Sequence, residues 1–280
     1  MTDGVVAAIL FAAFLHAGWN ALIKRRDRDP LSATVAIAAG AALISLCLLP
    51  FVPPPAAASW PFLAASAVPQ IAYYLLIAKV YRGSDLGLAY PVMRGTAPFF
   101  VAAANAILFG EALSWMGFLG VGCICGGVLL IASGRFRRPD AARAVTTAIG
   151  IALVIASYTV LDGLGVRRSA SPAGYTLWVF LLTGMGLAGW ILIRRRTQIL
   201  QSLRVDFWTG LGGGGASLLS YGIALWAMTK APVAAVAALR ETSILFAALM
   251  SMILLREKMT WERAAAAALL TAGAVAIRLS

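Results

Sequence analysis

Charge is scarce in this chain, and acidic charge scarcer still. Of 280 residues 12% are charged, and 11 Asp and Glu stand against 23 Lys and Arg. A soluble domain carries about 25% charged and roughly 45–50% apolar residues. Here 61% are apolar, which excludes a water-soluble globule. There is one histidine, His16, so a His-Glu-x-x-His zinc site is excluded, and no metal is expected. No Gly-x-x-x-x-Gly-Lys-Ser/Thr stretch is present, which excludes direct ATP coupling by this chain; no cofactor is expected. The three cysteines, Cys47, Cys123 and Cys125, are odd in number and fall inside apolar runs, so no disulfide framework is implied. Polar stretches are short. The net charge of +12 therefore has no folded aqueous surface on which to meet nucleic acid, and none is expected as a partner.

What the chain has instead is long apolar runs. A bilayer-crossing helix needs about 20 mainly apolar residues. Charge runs and Pro/Gly clusters divide the chain into ten such spans, 4–23, 31–50, 61–80, 86–109, 113–133, 145–166, 173–193, 207–229, 232–254 and 261–279. They lack the two-residue alternation of outer-membrane strands, so the expected fold is an all-α integral membrane protein in a lipid bilayer. The first run has no basic residue ahead of it and is too long for a signal-peptide core; it is expected to be a retained span. Lys and Arg are unevenly placed. The odd-numbered loops hold 17, including Lys24, Arg25, Arg26 and Arg28 in the first and Arg135, Arg137, Arg138 and Arg143 in the third. The even loops and both tails hold Arg167, Arg168, Lys230 and Arg278. Short basic loops stay cytoplasmic, which places both termini outside.

The chain also repeats itself. Arg94-Gly95-Thr96 and Arg240-Glu241-Thr242 lie 146 residues apart, and at that offset Glu111 matches Glu257, Trp115 matches Trp261 and Gly127 matches Gly273. In the first spans of each half the offset is 142: His16 matches Tyr158, Asn20 matches Asp162 and Pro30 matches Pro172. Each half, 1–138 and 139–280, then has five spans. Five is odd, so the halves sit antiparallel in the bilayer, the inverted-topology repeat of secondary transporters, with a binding site expected near the midplane between them.

Charges buried in the spans are the first candidates for that site, because a charge at the bilayer centre costs at least about 2.5–3.5 kcal/mol. Arg94 and Arg240 each lie about 12 Å from their entry side, and entering from opposite faces they differ in depth by roughly 6 Å. They either form structural ion pairs or face a wet cavity and attract an anionic group such as a carboxylate. Asp162 and Glu241 are the acids well inside a span. Glu241 cannot easily pair with its neighbour Arg240, since adjacent residues on a helix point about 100° apart, and is expected to reach Arg94 or the neighbourhood of Asp162. Glu111 and Glu257 stand at span ends, where capping or loop contacts are expected.

Polar and aromatic stripes add to these. His16, Trp19, Asn20 and Lys24 share one face of the first span, and Tyr158 and Asp162 repeat it in the sixth. Gln70, Tyr74 and Tyr81 share a face of the third, and Ser217 and Tyr221 one of the eighth. Tyr73, Tyr90 and Trp226 also lie deep, and a cavity of rings with a few polar tips suits an amphipathic or aromatic solute. Core packing is the alternative for each of them singly. Trp60, Trp115, Trp190, Trp208 and Trp261 fall at span ends, as in an interfacial belt. Gly122-x-x-x-Gly126 and Gly210-Leu-Gly-Gly-Gly214 are small-residue arrangements that let helices pack closely; the fifth and tenth spans read as support or a dimer face, with a monomer expected. Pro69, Pro91 and Pro98 can kink the third and fourth spans beside Arg94.

Pro98, Gly110-Glu111-Ala112-Leu113-Ser114, Gly117 or Gly120, and Gly126-Gly127, repeated as Arg256-Glu257-Lys258-Met259-Thr260 and Gly273, resemble the ten-helix EamA-type exporters of the drug/metabolite transporter superfamily over essentially the whole chain. The second copy departs from the pattern, with Arg256 where Gly is usual and no Pro matching Pro98. The resemblance implies a transporter rather than an enzyme. It implies export of amino acids, aromatic ones among them, and related metabolites across a bacterial inner membrane by secondary active or facilitated transport. In that reading Arg94 or Arg240 binds carboxylate, Asp162 or Glu241 the ammonium, and the deep tyrosines and Trp226 the side chain. Family members usually place both termini in the cytoplasm, opposite to the charge count. Export of cationic drugs resting on Asp162 or Glu241, and an intramembrane enzyme or scaffold, are the other readings the residues leave open.

Overall fold

The structure, a computed structural model, describes residues 1–23, 30–83, 86–194, 207–255 and 260–280. Among these there is no strand. The helices are α1 (Asp3–Ile23), α2 (Pro30–Leu48), α3 (Trp60–Gly83), α4 (Leu86–Phe109), α5 (Trp115–Leu130), α6 (Ala141–Arg168), α7 (Pro172–Arg194), α8 (Phe207–Met228), α9 (Val233–Arg240), α10 (Ser243–Leu255) and α11 (Trp261–Leu279). Among the described residues, seven stretches are long and apolar enough to cross a membrane. The basic loop residues Lys24, Arg25, Arg26, Arg28, Arg195, Arg196, Arg204, Arg256 and Lys258, together with Glu257, lie outside the described residues.

Helix ends follow local chemistry. Gly110 takes a φ of 66°, a left-handed conformation that favours glycine, and ends α4. Ser114 then caps α5 by accepting the Gly117 N–H at 3.1 Å, and Thr260, its repeat equivalent, caps α11 through Arg263 N–H at 3.5 Å. Ser171 caps α7 by accepting from Gly174 N–H at 3.1 Å, with Pro172 at the first helical position.

One expected span is not continuous. The ninth, 232–254, breaks at Glu241 and Thr242 into α9 and α10. There the amides of Glu241 and Thr242 donate to the carbonyls of Ala238 and Leu239, three residues back rather than four, and the Thr242 hydroxyl donates to Leu239 O at 2.7 Å. A side chain that competes for the helix's own carbonyl disrupts the ladder without proline or glycine.

The halves exchange packing partners. Helix α6 lies against α3 and α4 of the first half, and α1 lies against α8, α9 and α10 of the second. Between them α2 packs on α7 and α5 on α11. Reciprocal contacts of this kind are what two inverted five-helix repeats produce. Links at one end are tied together: Met1 and Asp3 meet Arg278, and Ser171 donates to Pro53 O across the α2–α3 and α6–α7 connections. This end, which carries both termini, is called the terminal end; the opposite one holds the loops rich in Lys and Arg and is called the basic end.

Glycine sets how close these helices come. A Cβ on Gly120 or Gly273 would press on the facing helix, including the Gly273 carbonyl at 2.8 Å and the Gly120 carbonyl at 2.6 Å respectively. Gly210 and Gly214 likewise meet the α2 backbone near Gly40. Gly122 and Gly126 do not take part: a Cβ on either meets nothing within 4 Å, because they stand on the far side of α5 from Gly120 and Gly127. Gly273→Ala should therefore cost about 1–3 kcal/mol of stability in detergent unfolding, as overpacking does, while Gly122→Ala should leave the transition unchanged.

Candidate functional site

Four charges are buried among the helices: Arg94, Asp162, Arg240 and Glu241. Each has a different situation. Arg94, one turn past Pro91 on α4, places Nε 2.8 Å from Oε2 of Glu241, in the break between α9 and α10. Both side chains are about 95% buried, and the contact is a close ion pair without hydrogen-bond alignment, leaving Arg94 Nη2 without a partner. The expected reach of Glu241 to Arg94 is thus what the structure contains. Gly95 occupies the repeat position of Glu241, so that position of the first half offers Arg240 no acid in return.

Asp162 is fully buried on α6 and its carboxylate is occupied. Tyr221 Oη donates to Oδ2 at 2.6 Å, Gln70 Nε2 to the same oxygen at 2.9 Å, and Tyr175 Oη to Oδ1 at 3.1 Å. Gln70 also donates to Ser66 at 3.0 Å. Gly165 makes the Tyr175 bond feasible, since a Cβ there would collide with the Tyr175 hydroxyl. Asp162 therefore joins α3, α6, α7 and α8.

Arg240, at the end of α9, is 8% exposed. Its guanidinium carbon stands 5.0 Å from the centre of the Tyr221 ring, a cation–π distance. Its Nε has no hydrogen-bond partner. It lines a central cavity of about 40 Å³, shared with His16 and Trp19 on α1, Tyr73 and Tyr74 on α3 and Tyr158 on α6. Gln70, Phe180, Ser217 and Tyr221 complete the wall. The rings meet edge to face, Tyr73 with Tyr158 at 5.8 Å and Phe180 with Tyr221 at 6.0 Å. Trp19 stacks edge-on to His16 at 5.1 Å, and its Nε1 also lacks a partner. The cavity holds a few waters and no larger solute. Of the four buried charges, Arg240 is the one that lines it.

Other expected site residues are placed elsewhere. Asn20 is buried and donates to His16 O at 2.8 Å rather than lining the cavity. Trp226 is 38% exposed: it lies five residues beyond Tyr221 on α8, about 140° round the helix, and faces outward. Tyr90 lines a larger cavity, about 460 Å³, at the basic end, with Arg135, Ile244, Thr260, Glu262 and Arg263. That vestibule reaches one turn from Arg94 and Glu241. The Lys24 and Tyr81 side chains lie outside the described ones. Glu111 makes the loop contact expected of it, an ion pair with Arg167 at 2.9 Å. Arg167 also donates to Met228 O at 2.7 Å and Ala231 O at 2.9 Å, closing the terminal end over α6, α8 and the α4–α5 loop. Trp115, Trp208 and Trp261 are well exposed at helix ends.

Phe180 was not among the sequence candidates, because one apolar residue in an apolar span carries no signal; Tyr73 was legible only as a deep tyrosine. Arg94→Gln or Glu241→Gln alone, which leaves one buried charge uncompensated, should cost about 3–5 kcal/mol in detergent unfolding. The double variant should cost clearly less than the sum of the two.

A profile of the EamA-like transporter family matches the chain twice, over residues 4–133 and 142–279. No curated protein sequence matches significantly. One solved structure, described only as the crystal structure of a protein, superposes with a TM-score of 0.76 over 100% of this chain and 99% of its own, at 17% identity. At that identity the likeness carries the fold alone.

Proposed function

The chain belongs to the EamA-like transporter family, multi-pass membrane transporters of small molecules, and from that premise we propose that it exports amino acids, aromatic ones among them. Export proceeds by alternating access across a bacterial-type inner membrane. The observation that carries this reading is Arg240: a charged group with an unpartnered N–H in a cavity walled by aromatic rings, at the break of a discontinuous helix. Broken helices near the midplane are where secondary transporters hold their substrates. The guanidinium takes the carboxylate as a charge-assisted pair. Tyr73, Tyr74, Tyr158 and Phe180 enclose the side chain.

The present volume suits an occluded cavity. The vestibule beyond Tyr90 gives approach from the basic end, and the Asp162 cluster with the Arg167–Glu111 pair closes the terminal end. Loading requires the halves, 1–138 and 139–280, to separate on the vestibule side; release requires the terminal-end contacts to part. The cation-exporter reading loses support here, because Glu241 is ion-paired with Arg94 and Asp162 accepts from protein donors.

In proteoliposomes the protein should exchange phenylalanine and tyrosine in counterflow, and Arg240→Ala should lower the rate at least about tenfold, the loss of about 1.4 kcal/mol or more of binding. Undiminished exchange by that variant overturns the reading. Orientation has its own measurement. With the three native cysteines replaced, Ser280→Cys should react with an impermeant maleimide on intact cells, and Asp140→Cys only after permeabilisation.

A further inference from the structure

Resting on the reading of Arg240 as the substrate anchor, we propose that the solute is recognised as an aromatic carboxylate, a monoanion, and that an amino group contributes nothing to its binding. Two polar atoms among the described lining residues are buried without a partner, Trp19 Nε1 and Arg240 Nε. Both are donors. Unpaired buried donors call for an acceptor, and a carboxylate supplies two oxygens to them.

An ammonium finds no matching partner. It needs an acid, and the two interior acids do not line the cavity. Glu241 is held by Arg94. Asp162 lies behind Tyr221 and Gln70, whose donor groups cover the carboxylate on the cavity side. What remains for an amine is ring faces and neutral side chains, beside a fixed positive charge that repels it. The asymmetry goes back to one repeat position. Glu241 in the second half neutralises the first half's arginine, whereas Gly95 stands in its place in the first half, packed about 3.1 Å (as a Cβ) from Val128 and Leu129 of α5 with little room for an acid. One of two repeat-related arginines is thus left without an ion-pair partner among the described residues.

The test is a matched series sharing ring and spacer: 3-phenylpropanoate, phenylalanine and phenethylamine, each as the counterflow partner in proteoliposomes of the full chain. The expected order has 3-phenylpropanoate exchanging at least as well as phenylalanine, and phenethylamine at least tenfold worse than either. Arg240→Gln should remove the preference for the anion and Arg240→Lys should keep it, so a folding defect is separable from loss of charge. Phenylalanine exchanging tenfold better than 3-phenylpropanoate overturns this inference and leaves amino-acid transport standing. Equal or better exchange of phenethylamine overturns it as well. If none of the three exchanges while a non-aromatic amino acid does, the aromatic-carboxylate class is wrong though the chain transports; if no amino acid exchanges either, the reading it rests on fails with it.

Discussion

The Arg94–Glu241 pair is the constraint around which the interior is arranged. A charge taken out of water is costly enough that it must be matched where it lies. Here the match runs between halves, from the fourth span of the first repeat to the interrupted ninth span of the second. Glu241 can reach Arg94 because the helix stops beneath it, with amides bonded three residues back and Thr242 turning its hydroxyl onto Leu239. The same stop leaves Arg240 at a helix end, over the Tyr221 ring. Pairing, helix break and unpaired guanidinium are one local event.

The two ends of the bundle are unequal. At the terminal end, Asp162 gathers donors from α3, α7 and α8, and Arg167 binds Glu111 and two carbonyls, so several helices close on one another through directional bonds. At the basic end a wide vestibule descends to Tyr90. Near-symmetric halves thus hold an asymmetric arrangement, which is what alternating access needs in one of its states. Polar contacts suit a gate because, unlike interlocked apolar packing, their partners can be replaced by water when they part.

Much of the fold was legible in the sequence. Hydrophobic run lengths located the spans, and Ser114 and Thr260 at matching places marked two helix starts. The break at Glu241 was not, since neither residue of the turn is a helix breaker and the deciding bond is a competition among backbone acceptors. Of the site, the tyrosine stripes and Arg240 could be read from spacing. Trp226 misled because a deep position by count says nothing of azimuth, and α8 turns it outward. Phe180 was hidden among apolar neighbours. Gly122 and Gly126 fitted a packing pattern, but the face of α5 that meets α11 is the opposite one, where Gly120 and Gly127 stand. Which of two equivalent arginines would be neutralised depended on Gly95 against Glu241, a difference whose meaning appears only when the halves face each other.

Arg240 has no ion-pair partner among the described residues, and a guanidinium so placed near the middle of a bilayer feels the membrane potential. Carrying one elementary charge across the membrane is worth about 2.3 kcal/mol per 100 mV. When Arg240 holds an anion the pair is neutral, and the loaded protein changes access without working against the field. On the proposed reading, the unloaded site carries Arg240 without an ion-pair partner, and whatever part of that charge moves through the field as access changes is drawn toward a negative interior. On that reading the membrane potential favours the return of the unloaded carrier.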